Sequence, residues 1–423
     1  MPDENQNNNN LTSWKQIADF LGVSERTAQT WEEERGLPVK RLAGSRGRVS
    51  ANRADLERWM KANIKPAPWY ASLIFLRYYA TIMTGLFLLA VGALIGIRLA
   101  ENRLGAPADC RLDYQTLIVT DSGGRELWRW PAEAPFNMES YSPNTSAGLR
   151  KAWFGKFNQG DRETFTVFPY YPITVDKTGG SLICFSQRGD VKWRYNFDKS
   201  VSDLEQTYPP TYVVGDYHVA PVKAGGSNVV FVTSHHTYGD PNRFVIFDGD
   251  GKVLGDYWHS GHLINLEVED VDRDGVNEIF LGGVNNGLHR AILLVLDPRN
   301  VHGAFIQPAG DKFQLQGFDA GTQIATILFP RTCINKRLQS NTVFKLSVLP
   351  DWIKVDVMEV GGDASSVVLY MFDRNLTPKQ VIISDRLKNL HGEMRSRREL
   401  DHDFSEAEVD ELARNIVIRK IGK

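Results

Sequence analysis

The sequence predicts a multidomain protein: a small α-rich winged helix-turn-helix module, one transmembrane helix, and an all-β, propeller-like domain of five to seven blades. Three observations lead to this prediction. Residues 78–97 form an uncharged apolar run. Two short amphipathic helices and a basic hairpin precede the run, and repeated hairpin signals follow it. The predicted bounds are 1–10 for a disordered tail, 11–62 for the module, 63–77 for a linker, 78–97 for the membrane helix and 106–423 for the β domain.

Composition limits the classes of function. The 423 residues exceed one typical domain. A net charge of −2 indicates no polyanion partner for the whole chain, yet residues 40–65 carry eight basic and only two acidic side chains. Cys110, Cys184 and Cys333 form no CxxC or Cys/His metal pattern. All three follow the apolar run, so one disulfide and a spare thiol can form if that side is oxidising, and the pairing stays open.

The N-terminal module begins with a helix-capping pattern. Ser13 is followed by Gln16, which marks a helix start, and Gly22 ends that helix. Ser24 can cap a second helix that stops before Gly36. Two such helices joined by a tight turn predict a helix-turn-helix, whose second helix enters the major groove of DNA. Residues 39–50 then combine a glycine-containing hairpin tip with basic side chains, as expected of a wing that grips phosphates.

Residues 13–60 resemble the winged helix-turn-helix of the MerR and excisionase families. The shared elements are Leu-Gly-Val-Ser, Arg-Thr-x-x-x-Trp, Gly-Leu-Pro, a basic wing and a terminal Leu-x-x-Trp helix. The resemblance implies DNA binding, often as a dimer, with base or nearby phosphate contacts from Ser24, Glu25, Arg26, Gln29 and Thr30. It places backbone contacts at Lys40, Arg41, Arg46 and Arg48. The alternative is a module that recruits a protein, with the acidic side chains of residues 32–34 repelling DNA. The coiled coil that follows the module in MerR proteins is missing.

The apolar run has the length that a bilayer core requires. It lies too far from the N-terminus, and is too long, for a cleaved signal peptide; a buried core helix is the alternative. Because the module must share a compartment with DNA, we expect residues 1–76 in the cytoplasm and residues 100–423 outside, across the inner membrane of a bacterial cell. Gly85, Gly92 and Gly96 share one helix face, which predicts a homodimer contact, although such spacings also arise by chance.

After Gly105 one unit recurs: an apolar strand, a polar turn and an outgoing strand, often with an aromatic side chain. The copies lie at 117–130, 182–195, 244–258, 293–305 and 369–383. Their spacing of roughly fifty to seventy residues leaves room for four strands per copy. Because an isolated hairpin cannot bury its apolar face, the copies must stack, which favours a β-propeller over a β-sandwich. Residues 416–421 are predicted to be a strand that closes the ring by pairing near residues 112–120.

One acidic loop predicts a cation site inside the β domain. Carboxylates at Asp270, Asp272 and Asp274, the Val276 carbonyl and Glu278 can together form an oxygen shell suited to Ca²⁺. A strand follows instead of a helix, so the loop is not an EF-hand. It resembles the calcium loop of FG-GAP/VCBS-type propeller repeats, and neighbouring turns resemble this group and its quinoprotein-like relatives. The resemblance implies a structural Ca²⁺; the alternative is a solvated acidic turn.

These features together predict a membrane-anchored, one-component transcriptional regulator whose extracytoplasmic sensor domain controls sequence-specific DNA binding in the cytoplasm. The layout is similar to that of ToxR-type membrane regulators. The alternative is a membrane-anchored adhesion or scaffold protein whose propeller binds an extracellular partner or ligand. We expect no enzyme, because the chain lacks GxSxG, HExxH and P-loop motifs.

Overall fold

The computed structural model describes residues 9–41, 48–63, 70–103, 105–141, 151–338, 340–349 and 351–421. The chain divides into two compact units, Met1–Asn102 and Arg103–Lys423. The first unit is mainly helical, and the second is mainly β-sheet.

The first unit begins with a short strand and ends with a long helix. Its elements are β1 (Asn10–Leu11), α1 (Trp14–Leu21), α2 (Glu25–Arg35), β2 (Lys40–Arg41), β3 (Val49–Asn52), α3 (Arg53–Asn63) and α4 (Tyr70–Arg103). Local caps set the first helices: Ser13 Oγ accepts the Gln16 N–H at 3.2 Å, and Ser24 Oγ accepts the Thr27 N–H at 3.1 Å. Both helices end at a glycine in the left-handed conformation.

The tail prediction for residues 1–10 is wrong at its C-terminal end. Asn10 pairs with Asn52 and Leu11 pairs with Ala51, so β1 joins β3 and β2 in a three-stranded sheet. The Asn9 carbonyl also accepts the Arg53 N–H. The polar composition of this segment predicted disorder. The strand could not be recognised from the sequence, because its pairing partner lies more than forty positions away. Residues 1–8 lie outside the described residues.

The helix α4 contains the predicted apolar run. Its segment Leu76–Gly96 is long and apolar enough to cross a membrane by length and composition, and none of it is buried. Within the described residues it is the one helix with these properties. Adding a Cβ to Gly85, Gly92 or Gly96 would meet no heavy atom within 4 Å, so this face is open.

The second unit contains five sheets of three or more strands within the described residues, and all but one of their strand pairs are antiparallel. We number them I to V along the chain. Sheet I comprises β4 (Asp109–Asp113), β5 (Thr116–Thr120) and β6 (Glu126–Pro131); sheet II comprises β7 (Trp153–Gly155), β8 (Phe165–Tyr170), β9 (Ser181–Phe185) and β10 (Val191–Asn196), with the short helix α5 (Val175–Thr178) before β9. A separate ribbon contains β11 (Val201–Ser202) and β12 (Thr207–Tyr208).

Sheets III and IV are the largest. Sheet III comprises β13 (Tyr212–Pro221), β14 (Asn228–His236), β15 (Asn242–Phe247), β16 (Val253–His259) and β20 (His302–Ala304). Sheet IV comprises β17 (Leu263–Glu269), β18 (Glu278–Asn285), β19 (Arg290–Leu296), β21 (Gln323–Leu328) and β26 (Val417–Lys420). Sheet V comprises β22 (Thr342–Val348), β23 (Trp352–Met358), β24 (Val367–Asp373) and β25 (Pro378–Ile383), followed by α6 (Asp385–Ser396) and α7 (Glu406–Arg414).

Four of the five predicted repeats form the last hairpin of their sheet, namely β5–β6, β9–β10, β15–β16 and β24–β25. In each turn one side-chain oxygen accepts the backbone N–H groups two and four residues later. The acceptors are Asp121, Ser186, Asp248 and Asp373. Because the acceptor side chain and the N–H donors belong to the same turn, the hairpin pattern can be recognised in the sequence.

The fourth repeat, at 293–305, is not a hairpin. The strand β19 pairs with β21, whereas β20 leaves the sheet and pairs in parallel with β16 of sheet III. The Asp297 turn has the same local hydrogen bond, from the Arg299 N–H at 2.9 Å. A local turn signal therefore does not determine which strand follows it in space.

Apolar side chains from both faces of the middle sheets hold the second unit together. Along β14, Val230 and Val232 face a cluster shared with sheets I and II, whereas Val229 and Phe231 face sheet IV. A further cluster joins sheets IV and V and includes α6 and α7. This alternation follows from the period of two along a strand. Stacked sheets of this kind give a mostly β, propeller-like fold.

The predicted ring closure by the C-terminal strand is wrong. The strand β26 pairs antiparallel with β21, from Leu328↔Val417 to Ala325↔Lys420, and so adds to the edge of sheet IV. Sheet I is not its partner. Between sheet V and β26, α6 and α7 pack Leu387 and Leu412 into the cluster shared by sheets IV and V, which directs the chain back to sheet IV.

Candidate functional site

The helix α2 presents the predicted base-contacting residues on its exposed face. Glu25, Arg26 and Gln29 are exposed, and Thr30 is partly buried with its hydroxyl donating to the Arg26 carbonyl at 3.0 Å. The Arg26 guanidinium makes no hydrogen bond or ion pair with any described residue. Ser24 differs, because its hydroxyl caps the helix and lies 2.7 Å from the Thr27 hydroxyl. Ser24 therefore positions the helix.

The opposite face of α2 packs against the rest of the first unit. Ala28 is fully buried, and the Trp31 ring lies 5.5 Å from the Trp59 ring of α3. The Trp59 indole N–H donates to the Arg35 carbonyl at 2.9 Å, which satisfies a carbonyl at the end of α2. These contacts fix the rotation of α2, and with it the direction of the exposed side chains.

The hairpin of β2 and β3 lies beside the C-terminal half of α2. Lys40, Arg41 and Arg48 are exposed. Arg41 makes a two-point ion pair with Glu32, with a shortest N–O distance of 2.8 Å, and this hydrogen-bonded pair raises the pKa of Arg41. Glu32 therefore ties the hairpin to α2. Arg46, together with the predicted hairpin tip, lies outside the described residues.

The acidic loop between β17 and β18 brings three of its four predicted carboxylate ligands together. Ligand atoms of Asp270, Asp272 and Glu278 lie within 4.8 Å of one another. Glu278 is 4% exposed and accepts the Val271 N–H at 3.0 Å. Asp270 accepts the Gly275 N–H through Oδ2, while its buried Oδ1 has no hydrogen-bond partner among the described residues. An unsatisfied buried carboxylate oxygen beside two other carboxylates fits a hard cation.

The Asp274 carboxylate does not join this group of three, and the Val276 carbonyl stays a predicted ligand. Asp274 Oδ1 accepts the Val276 N–H at 2.8 Å, and Asp274 Oδ2 lies 3.9 Å from the Arg299 guanidinium. The spacing of the acids placed Asp274 in the shell, but its carboxylate supports the turn instead. Arg273 adopts a left-handed backbone conformation, with φ 65°, between the two acids.

A cavity of about 220 Å³ adjoins the loop. Asp272 and Glu278 line it together with Arg374, Lys420 and apolar side chains of sheet IV. Lys420 belongs to β26, so the C-terminal strand forms part of the wall. The cavity could not be predicted from the sequence, because its walls come from five separate segments of the chain.

The three cysteines are free thiols, so the structure contains no disulfide among them. Burial raises the pKa of both Cys110 and Cys184 to about 12, so these thiols stay protonated. Cys333 lies beside His391, His402 and Glu408, a group that was not predicted from the sequence. No standard spacing signals this group, since its members are contributed by separate segments of the chain.

No protein-family model matches the chain, and no curated protein sequence matches it. Several solved structures are similar. BBS1N in complex with ARL6DN has a TM-score of 0.34 and 9% identity, covering 66% of this chain and 70% of that one. The Dos1 propeller has a TM-score of 0.33 and 9% identity, covering 65% and 66%. A protein of unknown function from Bacteroides caccae has a TM-score of 0.27 and 11% identity, covering 66% and 78%. At these scores the likeness carries no argument about ligands or partners.

Proposed function

We propose that the chain is a membrane-anchored transcriptional regulator, with a winged helix-turn-helix in residues 11–62 and a sensor in the β domain. The observation that carries the proposal is the geometry of α2. The start of this helix presents Glu25, Arg26 and Gln29 outward, while Ala28 and Trp31 hold its other face. A helix anchored on one side and polar on the other can enter a major groove.

The charge distribution supports the same proposal. Lys40 and Arg48 are exposed on the hairpin and can neutralise phosphates. Glu32 forms an ion pair with Arg41, so the negative charge of one of the three consecutive glutamates is compensated. The remaining two are exposed in the C-terminal half of α2, at least one helical turn beyond Gln29.

A gel-shift series with the full chain in detergent and genomic fragments tests this function. We expect a subset of fragments to bind, with affinity that falls steeply between two salt concentrations and a preference that persists at both. Absence of binding, or binding without sequence preference at either salt, contradicts the regulator and favours the scaffold described below.

We propose that α4 crosses the membrane and pairs through Gly85, Gly92 and Gly96. Replacing these glycines by isoleucine should lower operator occupancy in cells several-fold, because branched side chains separate two helix backbones. Chromatin immunoprecipitation measures this occupancy. Ala90→Ile, on another face of α4, is the matched control and should have little effect. Unchanged occupancy in the glycine variants would reduce α4 to a tether.

We further propose that Asp270, Asp272 and Glu278 hold Ca²⁺. Added Ca²⁺ at a hundredfold excess over its dissociation constant should stabilise the full chain by about 2.7 kcal/mol. Asp270→Asn should remove this response, measured as the shift in melting temperature between Ca²⁺ and chelator. Asp250→Asn, in the exposed turn after β15, should keep it. An Asp270→Asn variant that responds like the unmodified chain contradicts the site.

A second candidate function is that of a membrane-anchored scaffold whose β domain binds a partner. The cavity beside the acidic loop favours it, because a pocket lined by Arg374, Lys420 and apolar side chains can accept a ligand or a peptide group. Both candidates share the membrane anchor and differ in whether the first unit prefers particular DNA sequences.

A further inference from the structure

Four side chains with the chemistry of transition-metal ligands meet at the C-terminal end of the second unit. They are Cys333, His391, His402 and Glu408, and one ligand atom from each lies within 4.8 Å of the others. Cys333 follows β21, His391 lies in α6, His402 lies between the helices, and Glu408 lies in the first turn of α7. We propose that these four residues form a zinc site that fastens the two helices to sheet IV.

The three distances to the Glu408 carboxylate are close to those of tetrahedral coordination. Cys333 Sγ lies 3.5 Å from Glu408 Oε2, and His391 Nε2 lies 3.5 Å from Glu408 Oε1. His402 Nε2 lies 3.8 Å from the same Oε1. Zinc bonds of about 2.0 to 2.3 Å at tetrahedral angles separate ligand atoms by about 3.3 to 3.7 Å. Small side-chain rotations are enough to receive the ion.

The burial of His391 points to a missing partner. Its side chain is 3% exposed, and neither ring nitrogen has a hydrogen-bond partner within the part of the chain that the structure describes. Buried polar atoms normally have such partners. A metal ion bound to Nε2 gives one of the two ring nitrogens of His391 a partner. His391 and Leu387 are one helical turn apart on α6 and both are buried, so the packing of α6 already directs the imidazole inward.

His402 has the arrangement of a supported metal ligand. Its Nδ1 lies 2.7 Å from a carboxylate oxygen of Asp401, and its Nε2 faces Glu408. A carboxylate on one ring nitrogen leaves the other directed at a metal and strengthens it as a ligand. The side chain of His402 is 44% exposed and that of Glu408 21% exposed, which gives an ion a path from solvent.

The donor set selects the ion. One thiolate and two imidazoles are ligands of zinc and similar metals, whereas Ca²⁺ takes oxygen ligands. The loop of Asp270, Asp272 and Glu278 offers only oxygen. The two groups therefore differ in the metals they favour, and four protein ligands indicate a structural site.

Cobalt substitution tests the proposal on the full chain in detergent after chelation. One equivalent of Co²⁺ should produce a thiolate-to-cobalt charge-transfer band and the visible bands of tetrahedral cobalt, and Zn²⁺ should abolish both. Cys333→Ser should remove the charge-transfer band. His402→Ala should weaken zinc binding at least a hundredfold, and Asp401→Asn should weaken it about 10- to 100-fold.

Two matched controls separate this site from others. His302→Ala removes an exposed histidine elsewhere, and Asp272→Asn disables the oxygen-only loop; both should leave the spectrum unchanged. If His391→Ala does not fold, His402→Ala still decides, because its side chain is half exposed. A spectrum without the charge-transfer band, a band that survives Cys333→Ser, or zinc affinity unchanged in His402→Ala would overturn the proposal.

Discussion

Arg26→Ala should weaken sequence-specific DNA binding by about 1 to 3 kcal/mol, or roughly 5- to 150-fold. The reason is geometric: Arg26 is exposed in the first turn of α2 and its guanidinium is not engaged by any described residue. It is therefore available for two-point contact with a guanine. Gel shifts of the full chain with a bound genomic fragment and a base-substituted copy measure both affinity and preference.

Two further variants distinguish a base contact from a general charge effect. Lys15→Ala removes an exposed positive charge from α1 and should change affinity little. Arg48→Ala, on the hairpin, should weaken binding to all fragments alike. It should also reduce the slope of log affinity against log salt concentration by about one, the effect of one lost phosphate contact. If Arg26→Ala and Lys15→Ala have equal effects, Arg26 contributes only charge.

Trp59→Ala should destabilise the first unit by about 3 to 5 kcal/mol. The substitution removes a ring that is 8% exposed, its contact with Trp31, and the hydrogen bond that satisfies the Arg35 carbonyl. Hydrogen exchange of the α1 to α3 amides in the full chain measures the effect. DNA binding should fall as well, because α2 loses the support that orients it.

The matched control is Trp352→Ala in β23, where the ring is 43% exposed. Its effect on stability should be small, since the removed surface already contacts water. Trp59→Phe keeps an aromatic ring and loses only the donor, so it should cost about 1 kcal/mol. Exchange rates in Trp59→Ala equal to those of the unmodified chain would contradict the role assigned to this residue.

Local features of the fold could be predicted from the sequence. Ser13, Ser24 and Ser405 begin helices as expected, because a cap bonds only within its own first turn. The reciprocal bond at the first helix differs slightly, since Gln16 accepts the Thr12 N–H instead of that of Ser13. Hairpin turns were predictable for the same reason, because the acceptor and its donors lie within four residues.

Long-range pairing could not be predicted. The strands β1, β20 and β26 each add to a sheet whose other members lie far away in the chain, and their own composition does not name a partner. The candidate sites divide in the same way. Asp270, Asp272 and Glu278 lie in one short segment and could be grouped by their spacing, whereas Cys333 and His391 meet only through the packing of α6 into the cluster shared by sheets IV and V.

The position of β26 has a consequence for the order in which the β domain can be completed. Under the proposed topology, this domain is delivered across the membrane from its N-terminal side. One edge of β21 then stays unpaired until sheet V, α6 and α7, which come later in the chain, have crossed the membrane. Open edges pair readily with other chains. Under this topology, sheet IV gains its last strand only after β26, near the end of the described chain, has crossed the membrane.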